Sequence, residues 1–356
     1  MTDLLTTDRD HLLACTAGLW EPLRRQRVFI TGGTGFVGTW LTQSLLWADE
    51  KLDLGVEVLL LTRDPDRFRK KAPFIAERRA IELLRGNTQS FPFPEGQFGF
   101  VIHAATEAAT KPTADSPTGT FDADVASTRR VLEFARQASA RRMLFTSSGA
   151  VYGRQPETLA AVPEDYPGAP ATTDLNSAYA QAKRGSEFLC AMHSRQFGFD
   201  VTIARLFAFV GPYLSLEHYA VGNFIRDAIQ GRAIEIQSDG STVRSYLYAA
   251  DMAIWLWTIL LRGESLRPYN VGSPEAISVR ELAGTIAELS GNKTGVTVLG
   301  RPGVPSTRYV PNTFRAEKEL GLRVRIPLRD AIKRTMDWHL AQGAGQPIAE
   351  AAEVSW

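Results

Sequence analysis

The 356-residue chain is poor in cysteine, in long apolar runs and in net charge. Its two cysteines, Cys15 and Cys190, are too few for a disulfide framework, so both are expected as free thiols in a reducing cytoplasm. No apolar run is long enough to span a bilayer. The first residues carry Asp3, Asp8, Arg9 and Asp10 where a secretory signal would need an apolar stretch. With 40 basic against 39 acidic residues the formal net charge is +1. That excludes an electrostatic case for a nucleic-acid or membrane partner. No internal repeat is visible. What is there is ordinary for a globular protein, 44% apolar and 22% charged residues. The length suits one large α/β unit with a substantial core and a smaller lobe.

The most informative stretch runs from Val28 to Gly38, Val-Phe-Ile-Thr-Gly-Gly-Thr-Gly-Phe-Val-Gly. Val28 to Ile30 read as a strand buried on both faces. Gly32, Gly35 and Gly38 then allow a tight turn and a close approach to the backbone. From Thr39 to about Ala48, apolar positions recur at helical spacing. The free N–H groups of Phe36, Val37 and Gly38 would face an anion at the helix N-terminus, with Thr34 beside it. A glycine turn without ligand is the plain alternative. Its place between a strand and an amphipathic helix favours a dinucleotide.

A second strand is expected over Val56–Thr62. In dinucleotide folds an acid at this point takes the adenosine 2′-hydroxyl, and a nearby Arg takes a 2′-phosphate. Here Thr62 is followed by Arg63, which points to NADP(H), and by Asp64, which keeps NAD(H) open. Ala80–Leu84 reads as the third strand, ending at Gly86-Asn87. Asn87 either meets adenine or caps the next turn. Phe98–His103 reads as the fourth, running into the small residues Ala104 and Ala105, against which a cofactor could lie. His103 is expected as a satisfied core histidine. The polar loop from Thr106 to Thr120 suits an active-site rim, and a helix is expected over Asp124–Ala138.

Met143–Thr146 reads as the fifth strand, delivering Ser147 and Ser148 to the carboxyl edge of the sheet, where open α/β sheets bind ligands. Further on, Tyr179 and Lys183 stand four apart on one helical face. A phenol normally titrates near ~10 and is a poor base at neutral pH. A neighbouring ammonium and an oxidised nicotinamide would favour the phenolate, with Ser148 bonded to the reacting oxygen. A surface Tyr–Lys pair is the plain alternative.

Together, Thr31–Gly38, His103-Ala104-Ala105, Ser147–Gly153 and Tyr179…Lys183 resemble the extended short-chain dehydrogenases/reductases of the nucleotide-sugar epimerase/dehydratase group. The resemblance covers Arg27 to about Leu340. It implies a Rossmann-type doubly wound parallel sheet with a smaller C-terminal α/β substrate lobe. The expected division is an N-terminal helical extension over 1–26, an NAD(P)-binding domain over 27–212 and a nucleotide-sugar lobe over 213–356, with some segments returning to the first domain. It also implies substrate contacts from Asn223, Arg244 and Arg301, the two arginines gripping a diphosphate through charge-assisted bonds. For both arginines surface charge is the alternative.

Three departures from the group's pattern bear on the reaction. Dehydratases of this group carry an Asp-Glu pair where Gly149 and Ala150 stand, and related decarboxylases place a Glu at the position of Ala150. Neither residue here transfers protons, so both reactions are disfavoured. Ala208 replaces a common Asn, and so does Asp124. The remaining chemistry is hydride transfer at a sugar carbinol, expected at C4. Tyr179 would move the proton, Lys183 would hold the ribose and lower the tyrosine pKa, Ser148 would steady the oxygen, and Thr146 is a lesser helper. An epimerase is placed ahead of an NADPH-dependent 4-keto-sugar reductase or dehydrogenase, and a non-catalytic NADP(H)-binding module is the reading from another class. The group also implies a homodimer, for which Val131, Phe134, Phe188 and Met192 would supply apolar surface unless they are monomer core.

Overall fold

The computed structural model describes residues 4–106, 116–291, 295–301 and 306–343. Seven strands form one sheet in the order Ile81–Arg85, Glu57–Thr62, Arg27–Thr31, Phe100–His103, Arg142–Ser148, Asp200–Leu206 and Pro268–Val271. Every pairing is parallel. The strand order reverses between Arg27–Thr31 and Phe100–His103. In doubly wound sheets a ligand crevice opens at that point. The expected strands are present with ends shifted by a few residues.

Parallel strands need both faces covered, which explains their apolar runs. On one face Val28, Ile30, Val58, Leu60 and Leu144 pack in a cluster with Trp40, Leu41, Leu45, Trp255 and Trp257. On the other, Phe29 meets Phe91, Phe98 and Phe134, with ring centroids 4.5–6.1 Å apart. Phe134 and Val131 are therefore buried core and do not form a subunit surface. Phe188 and Met192, by contrast, are 66% and 40% exposed on the helix Ala178–Phe197.

Two helices are longer than the periodicity indicates. The helix after the glycine turn spans Phe36–Leu52. The one carrying Asp124 spans Pro117–Gln137, starting at a proline suited to a first turn. The expected rim loop is correspondingly shorter, and its residues 107–115 lie outside the described residues. A further helix, almost wholly buried, spans Ala249–Arg262. Within it the buried Asp251 accepts from the backbone N–H groups of Arg325 and Ile326, tying in the C-terminal segment.

The N-terminal segment forms a helix, Leu4–Cys15, and a short turn, Glu21–Leu23. It packs on the helices Phe36–Leu52 and Ala249–Arg262. Asp8, wholly buried, accepts from the Tyr248 hydroxyl and pairs with Arg334. Beyond the main sheet, short strands build the C-terminal part. Tyr246–Tyr248 pairs with Ala208–Val210, and Val243–Arg244 lies between Ile277–Ser278 and Arg308–Tyr309. The last of these brings Tyr309 over the carboxyl edge of the main sheet.

Candidate active site

The glycine turn is shaped by contact. Gly32 has φ +70°, and a Cβ there would lie 2.5 Å from the backbone N of Ala105. A Cβ on Gly38 would collide with the Gly32 carbonyl. Gly35 is the N-cap of the following helix and provides no side-chain cap. The first helical bond runs from Thr39 N–H to the Gly35 carbonyl at 2.8 Å. The N–H groups of Phe36, Val37 and Gly38 precede that bond and open onto a cavity of about 770 Å³. Donors without helical partners at a helix N-terminus are fitted to a phosphate.

The cavity runs from this turn past Thr62-Arg63 and Asn87 to Ala104, and on to Ser148, Tyr179, Lys183, Arg244 and Tyr309. Its first half is lined by the carboxyl ends of three neighbouring strands, and a dinucleotide fits its length and donor set. Arg63 is exposed on this wall. Asp64 is instead the N-cap of the helix Pro65–Lys71, accepting from Arg67 N–H at 3.0 Å. That backbone bond holds its carboxyl below the usual range. Asn87 lines the cavity, and it caps the next turn, its Oδ1 accepting from the N–H groups of Gln89 and Ser90.

His103 is a core residue, as expected. Its Nδ1 lies 2.7 Å from Thr31 Oγ1 and its Nε2 3.3 Å from Thr128 Oγ1. Burial, reinforced by the Lys183 charge, pushes its pKa down to about 3.

The strand Arg142–Ser148 separates its two terminal serines. Ser147 donates to Glu187 at 2.6 Å, and Glu187 in turn pairs with Arg205. Ser148 lies at the cavity, its Oγ 3.5 Å from the Tyr309 hydroxyl. Tyr179 and Lys183 reach the same wall from the helix Ala178–Phe197. Lys183 Nζ donates to the Thr146 carbonyl at 3.3 Å and lies 5.7 Å from the Tyr179 ring centroid. It also lies 3.8 Å from Asp124 Oδ2, and both side chains are 3% exposed.

Tyr179 is pushed up to about 12, by burial and then by the Asp124 carboxylate, and the hydroxyls of Ser148 and Thr106 offset this only in part. Burial is the larger of the two raising causes, and this is the state of the phenol without a bound nicotinamide.

Of the expected substrate contacts, Arg244 lines the cavity. Its guanidinium bonds to the Thr307 carbonyl and hydroxyl and lies 6.0 Å from the Tyr309 ring centroid. Asn223 does not line it; its amide lies against the carbonyls of Leu216 and Glu217, at 2.9 and 3.2 Å. Arg301 is exposed and also off the cavity wall. Its neighbours 302–305 lie outside the described residues.

Several wall residues carry no motif. Phe207 and Tyr309 pack ring on ring, centroids 4.5 Å apart, above Gly149. Tyr219 and Tyr246 complete that end. Their only sequence signal is an aromatic near a strand or helix end. Thr106, at the start of the expected rim loop, has a more definite place. It donates to both carboxylate oxygens of Asp124, at 3.1 and 3.2 Å.

The parallel sheet in this order carries a glycine turn at its switch point and brings a serine, a tyrosine and a lysine to one cavity. Residues 28–272 match the model of the NAD dependent epimerase/dehydratase family, and the chain belongs to that family. It is 30% identical over 311 residues to UDP-glucuronic acid decarboxylase 6 of Arabidopsis thaliana, covering 86% of each chain. Its fold resembles an epimerase of Methanothermobacter thermautotrophicus, with TM-score 0.77, 22% identity and coverage of 93% and 97%. It also resembles the UDP-glucose 4-epimerase of Thermus thermophilus in complex with NAD, with TM-score 0.71, 25% identity and coverage of 88% and 98%.

Proposed function

We propose that the protein modifies a nucleotide sugar by hydride transfer at a sugar carbinol, C4, and that it is an epimerase. The observation that carries this reading is the meeting of Ser148, Tyr179 and Lys183 on one cavity wall, next to a Gly149 with no room for an acid. A nicotinamide dinucleotide, when bound, supplies the hydride acceptor and donor. Gly32, Thr34, Gly35, Phe36, Val37 and Gly38 hold its diphosphate by backbone donors. Arg63, Asn87 and Ala104 line its adenosine side, and Lys183 holds ribose hydroxyls. Tyr179 moves the proton of the C4 oxygen, and Ser148 keeps that oxygen in place. Arg244 binds substrate diphosphate by charge-assisted bonds. Arg301 and Asn223 join it only if the substrate draws their segments inward.

The related plant enzyme is named for decarboxylation, yet the group's acid position is Ala150 here, beside Gly149. Neither residue can transfer a proton, which supports redox chemistry at C4 without elimination or loss of a carboxyl. The second reading is a 4-keto-sugar reductase using NADPH. Arg63 on the adenosine side supports it, because a guanidinium matches a 2′-phosphate. NADP(H) is accordingly placed slightly ahead of NAD(H).

The same reading makes 27–212 the dinucleotide domain and 213–356 mainly the sugar-nucleotide lobe, with the strand Pro268–Val271 returning to the main sheet. It places the protein in the cytoplasm, supported by two free thiols, Cys15 and Cys190. Among the described residues no helix is long and apolar enough to cross a membrane. A homodimer is proposed through the exposed Phe188, Met192 and Phe197.

The test is to purify the protein, assay the extract for bound nicotinamide, and present UDP-, dTDP-, GDP-, CDP- and ADP-sugars. Interconversion of C4 epimers without added cofactor is the expected result. Strict stoichiometric consumption of NADPH would replace the epimerase with the reductase. No turnover of any sugar, together with a Tyr179→Phe variant that leaves every measurable phenotype unchanged, would favour a binding module.

A further inference from the structure

The segment before the first strand of the sheet lies outside the residues that match the family, 28–272. Its helix Leu4–Cys15 joins two parts of the molecule. On one side it is seated on the helix Phe36–Leu52, which starts at the glycine turn. There Trp47 Nε1 donates to Asp10 at 3.0 Å, and the Arg9 guanidinium lies 4.6 Å from the Trp47 ring centroid. Trp20, further on, packs on Trp257 with ring centroids 5.2 Å apart. On the other side the helix buries one carboxylate, Asp8, completely. The Tyr248 hydroxyl donates to one of its oxygens and the Arg334 guanidinium to the other.

Tyr248 ends the stretch 243–248, whose Arg244 and Tyr246 line the cavity. The strand Tyr246–Tyr248 pairs with Ala208–Val210, of which Ala208 and Phe209 line it too. A buried ion pair is often replaced by apolar side chains without loss of stability, and the best-attested use of such a group is to fix one register. We propose that Asp8 is a positioning residue for the substrate end of the cavity. By holding the Tyr248 hydroxyl and Arg334 together, it sets where Arg244 and Tyr246 stand relative to the glycine turn. This rests on the reading of Arg244 as a contact for the substrate diphosphate, and deepens it. Asp8 touches neither cofactor nor substrate and acts through the strand.

Other contacts of the N-terminal segment are of a different kind. Trp20 donates to Thr16, and Thr16 to the Leu12 carbonyl, so these bonds stay within the segment. Leu12, Leu19, Trp20 and Leu23 belong to the apolar core. They hold the segment in place without reaching the cavity-lining strand. Asp8 reaches it through Tyr248, a wholly buried side chain whose ring lies 6.2 Å from that of Trp40 and 5.8 Å from the Arg334 guanidinium. Arg334 comes from the helix Leu328–Ala341, which packs on the same strand. The carboxylate thus gathers three segments far apart in sequence at the back of the substrate wall.

The test compares two affinities in the full chain. Calorimetric titration with UDP, dTDP, GDP, CDP and ADP, at saturating dinucleotide, reports the substrate end. Nicotinamide retained on purification, and titration with NAD and NADP, report the dinucleotide end. Asp8→Asn keeps the size and an acceptor for Tyr248 but removes the charge that faces Arg334. Tyr248→Phe keeps the ring and removes the hydroxyl, and it carries the test where the first variant fails to fold. In each, the diphosphate that the parent binds is expected to bind about fivefold or more weakly, the low end of couplings between separate sites, with dinucleotide affinity within a factor of about two. Hydrogen exchange of the ligand-free protein is expected to show less protection over 243–248 and 328–341 and unchanged protection over Arg27–Thr31. Unchanged diphosphate affinity in the folded variants overturns the proposal and leaves the function standing. An equal loss of both affinities also overturns it, since that marks a merely structural role. A parent that binds dinucleotide but none of the five diphosphates withdraws the substrate reading, and the role of Asp8 with it.

Discussion

Gly149 lies so close to Phe207 that a Cβ on the glycine would sit 2.6 Å from the ring's Cζ, with the Tyr309 hydroxyl at 2.7 Å. The aromatic pair fills the space an acidic side chain would need. Gly149→Asp is therefore expected to force the rings aside and destabilise the protein by about 1–3 kcal/mol, the usual range for overpacking. It is not expected to yield a 4-keto-6-deoxy product. Denaturant unfolding checks the first outcome, and product analysis on dTDP-glucose the second.

Tyr179→Phe keeps the ring and removes the proton. Turnover should fall by about 10²–10⁴-fold, the range for a general acid–base group, with little change in KM. Ser148→Ala should lower kcat in the same direction without shifting its pH limb. Steady-state kinetics against pH separates the two.

Arg63→Ala should weaken NADP(H) binding by about tenfold or more and leave NAD(H) within a factor of about two, because a charge-assisted bond to a 2′-phosphate is worth roughly 1.5–3 kcal/mol. Asp64→Ala should leave NAD(H) affinity unchanged, since the Asp64 carboxylate caps the next helix. Calorimetric titration with both dinucleotides measures this.

Two buried histidines give a pH dependence of stability. His103 is held down to about 3 and His339 to about 4, against an ordinary value of 6.5. Below pH 6.5 the unfolded chain takes up protons that the folded protein refuses. Their contribution is fully present above that value and is lost as pH falls toward the folded values, at up to about 1.4 kcal/mol per pH unit for each. Buried carboxyls such as Asp8 and Asp251, whose values are raised, act in the opposite sense. The clean observable is therefore a difference. His103→Gln should show a shallower loss of stability than the parent between about pH 6 and 4, measured by urea unfolding.

How much of this was legible in the sequence depended on whether a residue acts locally. The glycine turn, the Tyr179–Lys183 spacing and the serine pair are short-range patterns, and the fold carries each of them to one cavity. His103 was readable as core because strand ends flanked by small residues are buried. Contacts between distant segments were not legible. Nothing near Tyr309 indicates that the strand Arg308–Tyr309 pairs with Val243–Arg244 and so brings the phenol to Ser148. The ion pair of Lys183 with Asp124 likewise joins two helices far apart in sequence. Burial, and after it the Asp124 carboxylate, raises the Tyr179 pKa in the protein without a nicotinamide, which the spacing of Tyr179 and Lys183 does not indicate. Val131 and Phe134 show that an apolar helix stripe does not itself say whether it faces a core or a partner; the packing selects the core alternative.

The most direct test follows the hydrogen at C4. A panel of nucleotide sugars deuterated at C4, including UDP-glucose and UDP-glucuronic acid, is incubated with the protein in ordinary water and followed by NMR. Hydride removal and return at one carbon predicts a C4 epimer that keeps its deuterium at C4, with the carbon skeleton intact. A pentose product with release of carbon dioxide, or a 4-keto-6-deoxy sugar, would contradict it.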